Sequence, residues 1–385
     1  MSGFDLRSVP LLDHHSHAGL YERRLGRHQS RLDLDTRDPH YATSAYAALL
    51  REAYADLYGG ESDWAMGVDA QYADGIEPAY TRMLDRLAIT ATLWDFRRLT
   101  RAGWPRHRYR LIYWIDPFVC PFPAPGISRV DELQAALAEA LSLAGLETVP
   151  VAFQDFLTFV DLTLERARPD LVGLKLLLGY HRRLTFQEVD AETASAAFEE
   201  LRHGRLDRYL AFQDFMVRYL FRAAGQLELP LQVHASFGGP ASGLRLAHND
   251  PALLESLLAQ PDASNTRVVL LHGGYPFISQ AAALAFMHAN VYIDFSVLPS
   301  MFAQPLARWL EEWLELLPHD KVLFGSDASS PELYYTAAVN GRRQLGRALD
   351  VLAANGVLNR AEAVLVAERV CLANAVSLYG LSGLT

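Results

Sequence analysis

The chain has 385 residues, half of them apolar and 21% charged, with a formal net charge of −10. That is enough apolar chain for a large core, and an acidic balance without a basic stripe excludes nucleic acid as the expected partner. No run approaches the roughly 18 consecutive apolar residues of a membrane helix, and MSGFDLRSVP lacks a signal-peptide pattern. Cys120 and Cys371 lie far apart in apolar surroundings, against a disulfide framework or a cysteine-rich zinc site. The expectation is a cytoplasmic protein that does not span a membrane.

In chain order, eight short runs read as strands. They are Val9–His17 (VPLLDHHSH), Ile89–Phe96 (ITATLWDF), Tyr109–Phe118 (YRLIYWIDPF) and Leu171–Tyr180 (LVGLKLLLGY). Leu229–Phe237 (LPLQVHASF), Thr266–Gly274 (TRVVLLHGG), Asn290–Ser296 (NVYIDFS) and Lys321–Ser329 (KVLFGSDAS) follow. Amphipathic stretches such as VDELQAALAEALSLAG, ISQAAALAFMHA and LARWLEEWLELL lie between them, and ALDVLAANG and AEAVLVAERVCLANAVSLYG close the chain. Near-continuous apolar strands alternating with helices predict an α/β fold with a parallel sheet, and eight strands close a (β/α)₈ TIM barrel. Residues 1–385 then form one domain. Two connections, about 18–88 and 181–228, are too long for loops and read as helical insertions after the first and fourth strands. Both leave strand ends of the kind that carry barrel active sites, and they are expected to form a cap.

A barrel places its functional residues at the C-terminal ends of strands. In the first run, period-two alternation puts Asp13, His15 and His17 on one face and His14 and Ser16 on the other. His15 and His17 can therefore converge on one ion, although His-x-His alone is equally compatible with a solvated loop. Three further runs change that balance, because they end near His234, His272 and Asp327, all metal-ligand residue types. Lys175 is one of only two lysines, and it sits inside the apolar run LVGLKLLLG. A buried ammonium is costly. Reaction with carbon dioxide would turn this amine into an anionic carbamate able to bridge two metals. The alternative is pairing with an acid such as Asp116, or a turn toward water.

The set His15, His17, Lys175, His234, His272 and Asp327 resembles the amidohydrolase superfamily of metal-dependent TIM-barrel hydrolases. VHASFGGPASGLRLAHNDPALLESLLA, VVLLHGGYPFISQAAALAFMHANVYIDFS, KVLFGSDASSPELYYTA and GLKLLLGY resemble its amidohydrolase-2 branch, the nodulin-like group found alone or fused to glutamine synthetase. The stretch 18–88 matches least. The resemblance implies that His15, His17 and Asp327 bind the more buried ion. It further implies that carboxylated Lys175 bridges two ions and that His234 and His272 hold the second. Single-ion members use the His-x-His pair, the fifth-strand His and the eighth-strand Asp, with the sixth-strand His on the reacting group. The implied cofactor is a divalent metal, one or two ions of Zn²⁺, with Mn²⁺ as the alternative.

The expected activity is hydrolysis of an amide, ester or lactone of a small, carboxylate-bearing molecule by a metal-activated hydroxide. Asp327 is the proton shuttle and His272 the second catalytic residue. Relatives beside glutamine synthetase suggest a γ-glutamyl amide. Tyr180, Arg182 and Arg183 follow the fourth run directly, and an arginine there can hold a carboxylate in bidentate fashion. His248, in the loop after the fifth run, is a further substrate candidate, and Tyr275 and Trp94 are similar cases. His28, His40, His107, His203, His288 and His319 lie away from strand ends and carry no expected role. Two other readings stand beside this one: a single-ion, non-hydrolytic decarboxylase, and a catalytically silent regulatory barrel. Homo-oligomerisation is left open.

Overall fold

Each of the eight apolar runs carries a strand, and each strand is shorter than its run. In the computed structural model, which describes residues 3–18, 44–59, 70–95, 104–239 and 242–383, the strands are β1 (Leu11–Ser16), β2 (Ile89–Asp95), β3 (Tyr109–Trp114) and β4 (Leu171–Leu176). They continue with β5 (Leu231–Val233), β6 (Val268–Leu270), β7 (Val291–Asp294) and β8 (Val322–Leu323). One parallel sheet holds them in the order β1 to β8, the sheet of a (β/α)₈ barrel. Among the described residues the ten longer helices are α1 (Ala45–Tyr58), α2 (Ile76–Arg86), α3 (Val130–Ala144), α4 (Phe153–Ala167) and α5 (Ala191–Arg202). After them come α6 (Tyr209–Gln226), α7 (Ile278–Met287), α8 (Pro305–Leu316), α9 (Pro331–Ala354) and α10 (Arg360–Glu368). No helix among the described residues is long and apolar enough to cross a membrane.

The overshoot of the runs has a local cause. Apolar residues continue past the last ladder bond, but the backbone leaves the pleat. Leu178–Tyr180 is a 3₁₀ turn, Leu271–Gly274 is a kinked turn with His272 and Gly273 left-handed, and Asp116–Val119 is a short helix. His15 and Lys175 lie within β1 and β4, but other candidate residues sit past the strand ends. His17 and His234 lie one residue past their strands, His272 two and Asp327 four.

Contacts divide the chain into two compact units, one of residues 1–94, 103–110 and 294–385, the other of 95–102 and 111–293. In the first, β1 pairs with β2 through Asp13↔Thr92 and Ser16↔Trp94, so β1 spends three residues where β2 spends two. That extra residue is a bulge, which interrupts side-chain alternation. On its other edge β1 meets the segment after β8, where the Asp327 N–H donates to the His15 carbonyl (2.8 Å) and the His17 N–H to the Ala328 carbonyl (2.8 Å). Helix α9 packs on α1, α2 and α8. Its largely buried Arg342 donates to the Val9 carbonyl (2.6 and 3.0 Å) and the Leu87 carbonyl (2.8 Å), satisfying chain ends that lead into β1 and β2. Helices α1 and α2 fall within the expected insertion. Residues 19–43 and 60–69, including His28 and His40 and most of the insertion expected after the first strand, lie outside the described residues.

In the second unit, the stretch 181–228 differs from the cap expected. Helix α6 is the crossover that the barrel needs between β4 and β5, and only α5 is additional. Helix α5 packs beside α4 and α6. The reason is apolar: Phe198 of α5 meets Phe156 of α4 (ring centroids 4.9 Å apart) and Phe212 of α6 (5.7 Å). The fully buried Phe156 also meets Phe212 and Phe159. A helix with such a face gains more by joining the helical layer than by covering a polar site.

Candidate active site

Alternation along β1 places its histidines as expected. His15 is fully buried, with Nε2 3.2 Å from Asp327 Oδ1, and His17 Nε2 lies 3.1 Å from the same oxygen. Their rings meet edge to face with centroids 4.9 Å apart. Asp327 takes a left-handed backbone (φ 55°), uncommon for a non-glycine residue and more accessible to Asp than to most. Its N–H bond to the His15 carbonyl holds the turn in place. Two imidazole nitrogens aimed at one carboxylate oxygen form an N, N, O donor set that suits Zn²⁺ or Mn²⁺.

The support beneath this group is polar and closed to water. Asp13 is fully buried and accepts from the Ser326 N–H (2.7 Å), Ser326 Oγ (2.6 Å) and Thr92 Oγ1 (3.1 Å). Burial pushes its carboxyl up to about 7, and the Ser326 hydrogen bonds oppose that rise. Asp13 thereby fixes the residue preceding Asp327. Ser16 bonds Thr92 (2.7 Å) and so joins the Asp13 side instead of sharing surroundings with His14, a consequence of the bulge. His14 turns away, between Asp294 Oδ2 (2.7 Å) and the Tyr379 hydroxyl (3.1 Å).

In the second unit, His234 and His272 are both 4% exposed, with rings 4.9 Å apart. The His234 N–H donates to the Leu176 carbonyl (3.0 Å), continuing the ladder by one bond beyond β5. His272 is left-handed (φ 61°), which swings its side chain out of the strand path. Lys175 is fully buried on β4, with Nζ 4.0 Å from Asp95 Oδ2 at the end of β2. The acid beside it is thus Asp95, where sequence reasoning named Asp116 as the example. Asp116 accepts instead from the Leu177 N–H (2.8 and 3.1 Å). Asp95 carried the same signal as the residues that were selected, a polar residue closing the apolar run ITATLWDF.

The expected substrate residues divide. Tyr180 lies against His234, with ring centroids 4.8 Å apart and planes tilted by 43°. Arg182 is committed to protein: it pairs with Asp214 (2.8 Å), donates to the Thr185 (2.7 Å) and Arg183 (3.2 Å) carbonyls, and covers the Phe186 ring. Arg183 is exposed. Partial desolvation, then Arg245 and Arg183, hold the His248 imidazole below its ordinary pKa. The His248 carbonyl accepts from Leu184 N–H (3.0 Å), tying the loops after β4 and β5 together. Tyr275 packs on Phe237 (5.2 Å), and Trp94 is buried against Trp104 (4.8 Å). His107 and His203 are exposed, and His319 bonds the Leu314 carbonyl. Sequence reasoning missed Ser128 and Arg129. The Ser128 N–H lies 3.2 Å from His181 Nδ1, and the Arg129 guanidinium sits 4.5 Å above the Tyr180 ring centre.

Comparisons with known proteins bear on the family and the fold. The amidohydrolase family model matches residues 185–381. The chain is 28% identical over 295 residues to protein fluG of Emericella nidulans, an alignment covering 68% of this chain and 33% of that one, so it spans a third of that relative's length. Among solved structures, a protein provisionally described as a metal-dependent hydrolase from Lactobacillus casei ATCC 334 superposes with TM-score 0.75 at 20% identity, covering 100% of this chain and 99% of the other. A uronate isomerase from Thermotoga maritima (TM-score 0.70, 13% identity, 97% and 95% covered) and a glucuronate isomerase from Caulobacter crescentus (0.71, 13%, 97% and 92%) share the fold. The chain belongs to the amidohydrolase family.

Proposed function

We propose that the protein is a metal-dependent hydrolase of an amide, ester or lactone bond in a small, carboxylate-bearing molecule. The observation that carries this reading is the convergence of His15 Nε2 and His17 Nε2 on Asp327 Oδ1. His15, His17 and Asp327 would hold the ion. A divalent ion bound there polarises a substrate carbonyl and lowers the pKa of water from 15.7 toward about 7. Asp327 takes a proton from the attacking water at its carboxylate and returns it to the leaving group. His272 orients the reacting carbonyl. Asp13 and Ser326 keep the Asp327 turn in place.

Lys175 bears on the number of ions. A carbamate would set a second anion beside buried Asp95, whereas the ammonium is matched by that carboxylate. The contact favours one ion and an unmodified lysine. The same contact favours a second reading, the single-ion decarboxylase, which releases carbon dioxide and consumes no water in bond cleavage.

Metal content per chain, measured together with product analysis on γ-glutamyl amides, N-acyl amino acids, lactones and aromatic carboxylic acids, separates these readings. Hydrolysis predicts release of an acid with its amine or alcohol. Carbon dioxide release without it overturns the proposal. Two ions per chain, one lost in Lys175→Ala, would instead establish the carbamate. Asp327→Asn is expected to lower turnover at least about 100-fold, and wild-type turnover in that variant would remove Asp327 from the proton path.

A further inference from the structure

The loop after β3 brings an arginine to the substrate side of the second unit. Arg129 immediately precedes α3 in a left-handed conformation (φ 57°, ψ 37°), which an arginine adopts only at a cost of roughly 1–2 kcal/mol. Its neighbour Ser128 anchors the loop, with its N–H 3.2 Å and its Oγ 3.1 Å from His181 Nδ1, and Oγ also reaches the Tyr180 carbonyl at 3.4 Å. The guanidinium is thereby set 4.5 Å over Tyr180, whose ring lies 4.8 Å from His234, itself 4.9 Å from His272. Four side chains from the loops and ends following β3, β4, β5 and β6 thus form a continuous row. Its inner end holds two imidazoles and its outer end a half-exposed cation.

Stacking on an aromatic face orients a guanidinium while leaving its in-plane N–H donors available, and those donors match a carboxylate. Among the described residues no side-chain or backbone acceptor takes a hydrogen bond from the Arg129 guanidinium. Arg182, in contrast, spends its donors on Asp214, the Gln213 side chain and the carbonyls of Arg183, Thr185 and Leu210. We propose that Arg129 is the residue that binds the substrate carboxylate, with Tyr180 as the platform along which the molecule lies between Arg129 and His234. The hydrolase reading supplies only the position of the reacting carbonyl in this arrangement, at the His234–His272 end.

The test is calorimetric binding of N-acyl amino acids and their primary amides to the protein as purified, a pair series differing only in the carboxylate. Wild type is expected to bind the acids at least about tenfold more tightly than the amides. Arg129→Gln should remove that difference by weakening acid binding while leaving amide binding within about twofold. Arg129→Lys should retain part of it. Unchanged amide binding excludes misfolding as the cause, which a purely structural Arg129–Tyr180 contact would not produce. Absence of acid preference in wild type, or its survival in Arg129→Gln, overturns the proposal. Acid preference abolished by Arg129→Gln without hydrolysis of any pair would sink the hydrolase reading and leave this one standing.

Discussion

Gly325, Ser326 and Asp327 show how three adjacent residues divide the work of one turn. Gly325 leaves room for His14 and Asp294: a Cβ there would lie 2.9 Å from Ser296 Cβ, 3.1 Å from His14 Cδ2 and 3.2 Å from Asp294 Oδ2. Gly325→Ala is therefore expected to cost about 1–3 kcal/mol through overpacking. Ser326 commits both its N–H and its hydroxyl to Asp13, and Asp327 is left to face His15 and His17. Urea unfolding of Gly325→Ala measures the cost, and an unchanged midpoint would refute the packing argument. Much of this was readable in the sequence, because the period of two in a strand separates His14 from His15 and His17. The grouping of Ser16 with Asp13 was not, since it depends on a bulge that exists only when β1 lies against β2.

At the scale of elements, the apolar runs mark the strands but not their ends. Hydrophobicity reports burial, and burial continues past β5, β6 and β8 after the ladder has stopped. The residues proposed for chemical roles occupy that gap, at His234, His272 and Asp327, where a side chain can leave the pleat while staying largely inside. The additional helix α5 follows the same logic of burial, held by the phenylalanine cluster around Phe156. Phe156→Ala should destabilise the protein by about 3–5 kcal/mol. Chemical denaturation tests this, and a loss below about 1 kcal/mol would mean that α5 is held by something other than this cluster.

For the molecule as a whole, an ion held by side chains from separate strand ends would contribute to stability. A site formed only on folding stabilises the native state by roughly 4 kcal/mol when free metal exceeds its dissociation constant a thousandfold. Stripping with a chelator should lower the melting temperature by several degrees, and Zn²⁺ or Mn²⁺ should restore it. A melt indifferent to both would argue against a resident ion. Strand count, helix alternation and the donor types closing the runs were all legible in the linear chain, because a barrel repeats one local pattern and each repeat writes its own apolar run. Pairings between distant residues were not. Lys175 beside Asp95, Arg182 spent on Asp214 and Arg129 over Tyr180 each join residues whose separation in the chain carries no signal. Charge and residue type indicate what a side chain can do; the folded backbone settles which partner comes within reach, and so which arginine keeps its donors for a ligand.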